Sequence, residues 1–433
     1  NFKMGFSHFA RKDYDRAAKS FYEVRNADAP YGPMSLYFYS HIKYLSKQYQ
    51  TALIGFTELK ENPVYASIVP FYIVQIYYFQ EKYDDILEYA PGLIKEVSGP
   101  QTAEISKMIG SSYFKTGEYE KAIPFLNTYQ TNTKSTTDFD NYEYGFSLYM
   151  IEEYEEAAKV FSKIVSMKDT LSQNAAYHMA DCHLQMNRKN EAKLAFETAS
   201  RYRFNDVIRE DALYNFAKLS FELDINPFNQ SIKALTTYIN EYPNSPKIDL
   251  VYNYLIEAFW STKNYKDAIA TIDEMEKRSP KLDEAYQRLT YYRGLELFTS
   301  LNYRLAINYF DKSIEHGQYN ANLLSLAKYW KADALYRMEK YQESIPFYED
   351  FIKTRGAVLL EEFDLAHYNL GYAYFDLKDY KNAGTWFRKF EIQSRDKEST
   401  VFNDALNRIG DCYYILRRYS AAAEYYEKAV NLG

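Results

Sequence analysis

Apolar and polar positions follow a helical period along the chain, and one short unit recurs. A tyrosine is followed three positions on by alanine and, four further, by an aromatic ring: Tyr14/Ala17/Phe21, Tyr49/Ala52/Phe56, Tyr154/Ala157/Phe161, Tyr303/Ala306/Phe310 and Tyr380/Ala383/Phe387. Weaker copies centred on Tyr83, Tyr119, Lys189, Phe228, Tyr265, Tyr341 and Tyr419 bring the anchors to twelve. The small residue and the ring share one face of a helix, at a place where a second helix must approach closely. Six anchors are preceded at nine residues by glycine: Gly5, Gly110, Gly145, Gly294, Gly371 and Gly410. A glycine inside a helix costs about 1 kcal/mol against alanine, so its recurrence calls for a packing reason. Each unit is predicted to be an antiparallel helix pair with a short turn just before the anchor. One pair cannot bury both its faces, so the core is made by stacking neighbours.

The spacing divides the array. Steps of 34–36 residues carry the first six anchors, and steps of 37–39 carry the rest, the change falling between Lys189 and Phe228. The expected organisation is repeats one to six over 1–201 and repeats seven to twelve over 202–433, as one continuous solenoid. Two sub-arrays of different curvature are expected to meet near Arg201 to Asp211. The chain stops at Gly433, directly after the second helix of the twelfth unit, Ala421 to Leu432, with no polar capping element behind it. Solenoids normally end in such a cap, so the sequence is expected to be part of a longer protein.

Residues 368–387, YNLGYAYFDLKDYKNAGTWF, resemble the tetratricopeptide repeat signature, with Leu370-Gly371, Tyr374, Tyr380, Ala383 and Phe387 in its Leu-Gly, Tyr, Tyr, Ala and Phe slots. Residues 109–126 and 409–426 match nearly as well. Departures are Lys189 and Phe228 for the anchoring tyrosine, Ser231 and Ser344 for alanine, and the large Ile86 in the small slot; the seventh unit has a longer turn, Asp224-Ile225-Asn226-Pro227. The resemblance implies an all-α, right-handed superhelical solenoid of about twelve antiparallel helix pairs, with first helices lining a concave face that binds a protein or peptide.

Composition narrows the function. The chain has 433 residues, a net charge of -7, and 18% aromatic residues with 47 Tyr. A single compact core stops growing at about 250–300 residues, which favours an array that grows along one axis. So many rings exclude disorder, and 15 Gly with 12 Pro leave few tight turns for an all-β or doubly wound fold. The longest nearly apolar stretch, Ser67 to Phe79, falls short of the roughly 20 residues of a spanning helix. No transmembrane segment is therefore expected, and a membrane association would have to come through a terminus beyond the sequence. The first residue is Asn1, so the start looks trimmed.

Candidate chemistry is sparse. His178 and His183, five apart, lie on different faces of a helix, unlike an i, i+4 zinc pair. Cys182 and Cys412 occupy one slot of repeats six and twelve and read as small packing residues rather than a disulfide. No phosphate loop, dinucleotide fingerprint or nucleophile elbow occurs. The expectation is a non-enzyme with no metal and no cofactor. Basic clusters as small as Arg201/Arg203 or Arg417-Arg418, in an acidic chain, argue against nucleic acid.

What remains is surface. On the repeat register, eleven of twelve twelfth positions are aromatic, among them Tyr44, Tyr78, Tyr149 and Trp260. Nine of twelve fifth positions are aromatic, among them Tyr37, Phe71, Tyr142, Tyr177, Tyr291, Tyr329 and Tyr368. The ninth position holds Phe146 early and Asp181, Glu257, Asp333, Tyr372 and Asp411 later, an acidic half expected to prefer a basic or neutral segment. The candidate partner-binding residues are Tyr37, Tyr44, Phe71, Tyr78, Tyr142, Phe146, Tyr149, Tyr177, Trp260, Tyr291, Tyr329, Asp333, Tyr368, Tyr372 and Asp411. These rings either seal one repeat against the next or grip a partner, and both can hold at once. The third repeat, with Ile68, Phe71, Tyr78 and Phe79 making its first helix apolar almost all round, is the strongest local candidate. Arrays that clamp a C-terminal carboxylate resemble one another in having Lys then Asn at the fifth and ninth positions, whereas Lys107 here is followed by Ser111. The leading expectation is a non-catalytic scaffold or adaptor; the alternative is a glycan- or peptidoglycan-binding module. Tyr238 to Pro246, YINEYPNSP, is similar to the Tyr-Pro-x-Ser linker of bacterial envelope tetratricopeptide proteins. That similarity implies a periplasmic or cell-envelope setting, with the cytoplasm as the alternative.

Overall fold

The computed structural model describes residues 1–28, 30–94, 100–165, 168–223, 230–275 and 277–432. The anchor Phe228 and the turn Asp224 to Pro227 lie outside the described residues. Two compact units are present, Asn1–Leu219 and Ser220–Gly433. The first contains α1 (Phe2–Ala10), α2 (Tyr14–Val24), α3 (Tyr31–Leu45), α4 (Tyr49–Leu59), α5 (Val69–Phe79), α6 (Tyr83–Leu93), α7 (Pro100–Lys115), α8 (Tyr119–Asn132), α9 (Asp138–Met150), α10 (Tyr154–Phe161), α11 (Thr170–Gln185) and α12 (Lys189–Arg201). The unit boundary falls inside α13 (Asp206–Leu223). The second holds α14 (Gln230–Glu241), α15 (Ile248–Thr262), α16 (Tyr265–Asp273), α17 (Pro280–Thr299), α18 (Tyr303–Glu315), α19 (Ala321–Arg337), α20 (Tyr341–Lys353), α21 (Glu362–Asp376), α22 (Tyr380–Gln393), α23 (Thr400–Ile415) and α24 (Tyr419–Leu432). No strand occurs among the described residues. The chain is the all-α solenoid of helix pairs that the sequence implies.

Every second helix whose anchor is described starts on that anchor. The turn before it is set by one backbone choice. Two residues ahead of the anchor the chain is left-handed: at Gly117, but also at ten non-glycine residues, Lys12, Lys47, Glu81, Glu152, Asn187, Lys263, Leu301, Glu339, Lys378 and Arg417, with φ between 50° and 68°. The reversal lets the next amide cap the preceding helix, as where Asp13 N–H donates to His8 C=O at 3.0 Å and Asp379 N–H to Tyr374 C=O at 2.9 Å. This is the Schellman arrangement, which satisfies carbonyls that a helix end leaves open. The small slot three residues into each second helix is buried throughout, from Ala17 to Ala422, and Ile86 is accommodated there as well.

The recurrent glycines face the ring, or leucine, seven positions past the anchor. A Cβ on Gly110, Gly294, Gly371 or Gly410 would stand 2.6–2.7 Å from Leu126, Phe310, Phe387 or Tyr426. The two helices of a pair thus approach too closely at that point for any side chain, which is the packing reason the sequence called for.

Within each unit the first helices of successive pairs touch: α5 with α7, α7 with α9 and α9 with α11 in one, α15 with α17, α17 with α19 and α19 with α21 in the other. Among the described residues no pair of second helices approaches to a comparable extent. In a curved stack the elements on the inner side are the ones that converge, so the first helices form the inner face of each unit.

Candidate functional site

The inner face is built from first-helix side chains, and most of its rings already have internal partners. The twelfth-position ring leans on its own anchor across the turn: Phe9 on Tyr14, Tyr44 on Tyr49, Tyr149 on Tyr154, Phe298 on Tyr303 and Phe375 on Tyr380, with centroids 5.3–6.1 Å apart. All are tilted or edge-on, the geometry the ring quadrupole favours.

Phenol hydroxyls then bridge to the next repeat. Tyr44 donates to Gln75 Oε1 at 3.0 Å, Tyr149 to Asp181 at 2.6 Å and Tyr177 to Asp211 at 2.7 Å in the first unit. In the second, Tyr368 donates to Asp404 at 2.8 Å, Tyr372 donates to the same oxygen, and Tyr336 donates to Asp376 at 2.7 Å. The Tyr372 phenol is pushed up to about 12, first by burial and then by that bond to a carboxylate. Charge-assisted bonds of this kind are stronger than neutral ones, so these contacts lock adjacent repeats together.

The first unit brings its predicted residues into two aromatic groups. Tyr37 stacks on Tyr65 at 4.9 Å, and Tyr44 meets Tyr72 at 5.2 Å and Phe79 at 6.3 Å. Phe71 and Tyr78 are half-buried beside them, whereas Phe79 is 51% exposed and Ile68 is also exposed. Farther along, Tyr142, Phe146, Tyr149 and Tyr177 surround the His178 ring at 5.0–6.2 Å. Burial in that cage lowers the His178 imidazole to about 4 and raises the Tyr142 phenol to about 12. His178 is thus a packed, half-buried ring, and among the described residues no group of His, Cys, Asp and Glu could hold a metal ion. Lys107 is tied to the buried Asp140 at 2.7 Å, and Tyr129 donates to the same carboxylate at 3.1 Å. The one lysine in a clamp-like position is therefore neutralised from within.

In the second unit three predicted contact residues are in the core. Tyr291, Tyr329 and Asp333 are buried, and Asp333 accepts a hydrogen bond from Tyr348 at 3.1 Å. They pack there because the first helix at those points also receives the following pair. Asp411 is half-buried, accepting from Tyr426 at 2.8 Å and from Arg408 at 2.7 Å. The acids expected to steer a basic partner are thus largely internal acceptors for tyrosine, Asp181 of the first unit included. Trp260 stays half-buried at the edge of the face, with Tyr292 edge-on at 6.1 Å and Tyr265 at 6.3 Å. The Arg288 guanidinium lies 4.7 Å over its ring.

Asp404, Asp211, Tyr65, Tyr72, Arg288 and Tyr292 were not singled out by sequence. A signal for part of this set exists. Tyr44/Gln75, Tyr149/Asp181 and Tyr368/Asp404 are separated by 31, 32 and 36 residues, each about one turn short of the local repeat. That offset is the reach of a phenol to the next first helix. The two cysteines are free and buried, and burial raises both thiols to about 12.

Tetratricopeptide repeat models match residues 107–131, 174–206, 211–245, 329–398 and 404–432. No curated protein matches the chain. Among solved structures, MamA from Desulfovibrio magneticus RS-1 is 20% identical with a TM-score of 0.31, over 43% of this chain and 96% of that one. The TPR domain of P58(IPK) is 13% identical with a TM-score of 0.28, over 96% of this chain and 97% of that one. No described helix is long and apolar enough to cross a membrane. With the repeat matched in sequence in both halves and seen as stacked helix pairs in both units, the chain carries tetratricopeptide repeats, the build of a protein-interaction scaffold.

Proposed function

We propose that this chain is a non-catalytic adaptor that holds a protein segment along the inner face of its helix pairs. The observation that carries the reading is what remains once internal bonds are assigned: in the first unit Phe6 and Phe79 stay about half exposed, Phe79 beside the half-buried Tyr78, and in the second Tyr292 stays exposed beside the half-buried Trp260. Aromatic residues with arginine beside them, half-desolvated in advance, are the side chains that dominate binding energy in protein interfaces. A glycan would need free ring faces, whereas the Trp260 face carries Arg288 and the Tyr265 and Tyr292 rings stack on each other at 5.9 Å. The protein reading is the better supported of the two. We also propose the bacterial envelope as its setting, on the similarity of the linker at Tyr238 to Pro246.

Affinity capture from the source cell with wild-type protein and with Phe79→Ala/Trp260→Ala tests the reading. The expected outcome is a co-purifying protein lost in the double variant and not displaced by soluble glycans. Equal capture by the variant, or displacement by glycans, would count against it. Fractionation of periplasm from cytoplasm tests the setting, and a wholly cytoplasmic signal removes it.

A further inference from the structure

On the other side of the second unit, α22 and α24 border a cleft of about 740 Å³ lined in part by Arg388, Lys389, Ile392, Lys397 and Tyr425. Its charge runs against that of the whole chain. The one acid in the lining, Glu391, accepts the Tyr425 hydroxyl at 3.1 Å and lies 3.8 Å from Lys428, so it is already answered. None of the three cations pairs with a carboxylate among the described residues. Two are held by rings instead: Lys389 Nζ sits 3.5 Å over Trp386, and the Arg388 guanidinium lies 6.0 Å from Tyr413 while its Nε donates to Gly384 C=O. An aromatic face positions a cation without cancelling its charge, so Arg388 and Lys389 are ordered in advance and still positive. Ile392, in the same lining, stands 76% exposed and gives the cleft an apolar foothold.

We propose that this outer cleft is a second docking site, for an acidic protein segment that carries an apolar side chain among its carboxylates. Three cations are too few to neutralise a run of phosphates, and Ile392 offers nothing to a nucleic acid backbone, which favours a peptide. The site lies apart from the inner face, so it would let the chain hold two partners at once.

The test is fluorescence anisotropy of a labelled peptide of alternating Glu and Leu, with the Lys/Leu peptide as its charge-reversed control. The acidic peptide is expected to bind, to weaken with added salt, and to lose at least about tenfold in affinity with Arg388→Gln/Lys389→Gln/Lys397→Gln. Lys397→Glu, in the loop after α22, is a second variant with no helix to disturb; it should weaken the acidic peptide and improve the lysine peptide. Equal binding of the acidic peptide to wild type and both variants overturns the proposal. So does an unlabelled single-stranded oligonucleotide that displaces the peptide at lower concentration than unlabelled peptide does. The inner-face variant Phe79→Ala/Trp260→Ala keeps all three cleft cations, so the two readings fail separately.

Discussion

Leu301 shows how the residue scale is governed by backbone geometry. It is 72% exposed and left-handed with φ 60°, a conformation that costs a non-glycine residue roughly 1–2 kcal/mol. Part of that is recovered as lower entropy in the unfolded chain, so Leu301→Gly should stabilise by up to about 1 kcal/mol, read from the midpoint of urea unfolding. His178 illustrates the opposite case, a group strained by its surroundings. The folded protein keeps its imidazole neutral down to about 4, while the unfolded chain takes up a proton below the ordinary 6.5. Between those values the unfolded state binds more protons, so stability falls as pH drops from 6.5 towards 4, by roughly 3 kcal/mol in total. His178→Phe should remove that part of the pH dependence, and an unchanged slope of unfolding free energy against pH would contradict the cage assignment.

At the scale of the element, the helix pair rests on the contact between the first-helix glycine and the ring beyond the anchor. Gly371→Ala would gain about 1 kcal/mol of helix propensity. Its Cβ, however, would lie 2.6 Å from the fully buried Phe387, which has no space to retreat into. Overpacking of that kind costs about 1–3 kcal/mol, so the expected net result is destabilisation, with Phe387→Leu partly restoring the double variant. Between elements, the phenol–carboxylate bonds join neighbouring pairs. Asp404 receives Tyr368 and Tyr372 and pairs with Arg408, so Asp404→Asn should cost about 1.5–3 kcal/mol in equilibrium unfolding. Little change would mean that apolar contacts alone join these pairs.

At the scale of the whole molecule, contacts run almost entirely between adjacent helices, and stability in such arrays is a sum of local and nearest-neighbour parts. Asp404→Asn should therefore speed amide hydrogen exchange in α21 to α24 and leave α1 to α12 unchanged; a uniform rise would show that the array unfolds as one. The repeat, its all-helical outcome and the start of each second helix were legible because they rest on local periodicity and on an anchor, a small residue and a ring at fixed spacing. Even the close approach at Gly110, Gly294 and Gly371 could be foreseen, since a glycine inside a helix has few other reasons to recur. The candidate site was less legible. Sequence placed Tyr291 and Tyr329 at fifth positions, Asp333 at a ninth and Trp260 at a twelfth, all on one face, yet the first three are buried and the last is only half-buried. A register position fixes which way a side chain leaves its helix, but not how much the next pair covers it. Likewise Asp181 and Asp411 could be read as acidic residues, while their use as acceptors for Tyr149 and Tyr426 depends on how a neighbouring helix docks. The sequence by itself determined the unit and its repetition, because those interactions span a few residues. Only the tertiary structure decided which rings are used up in joining repeats and which keep exposed surface, because that depends on distances between helices a whole repeat apart.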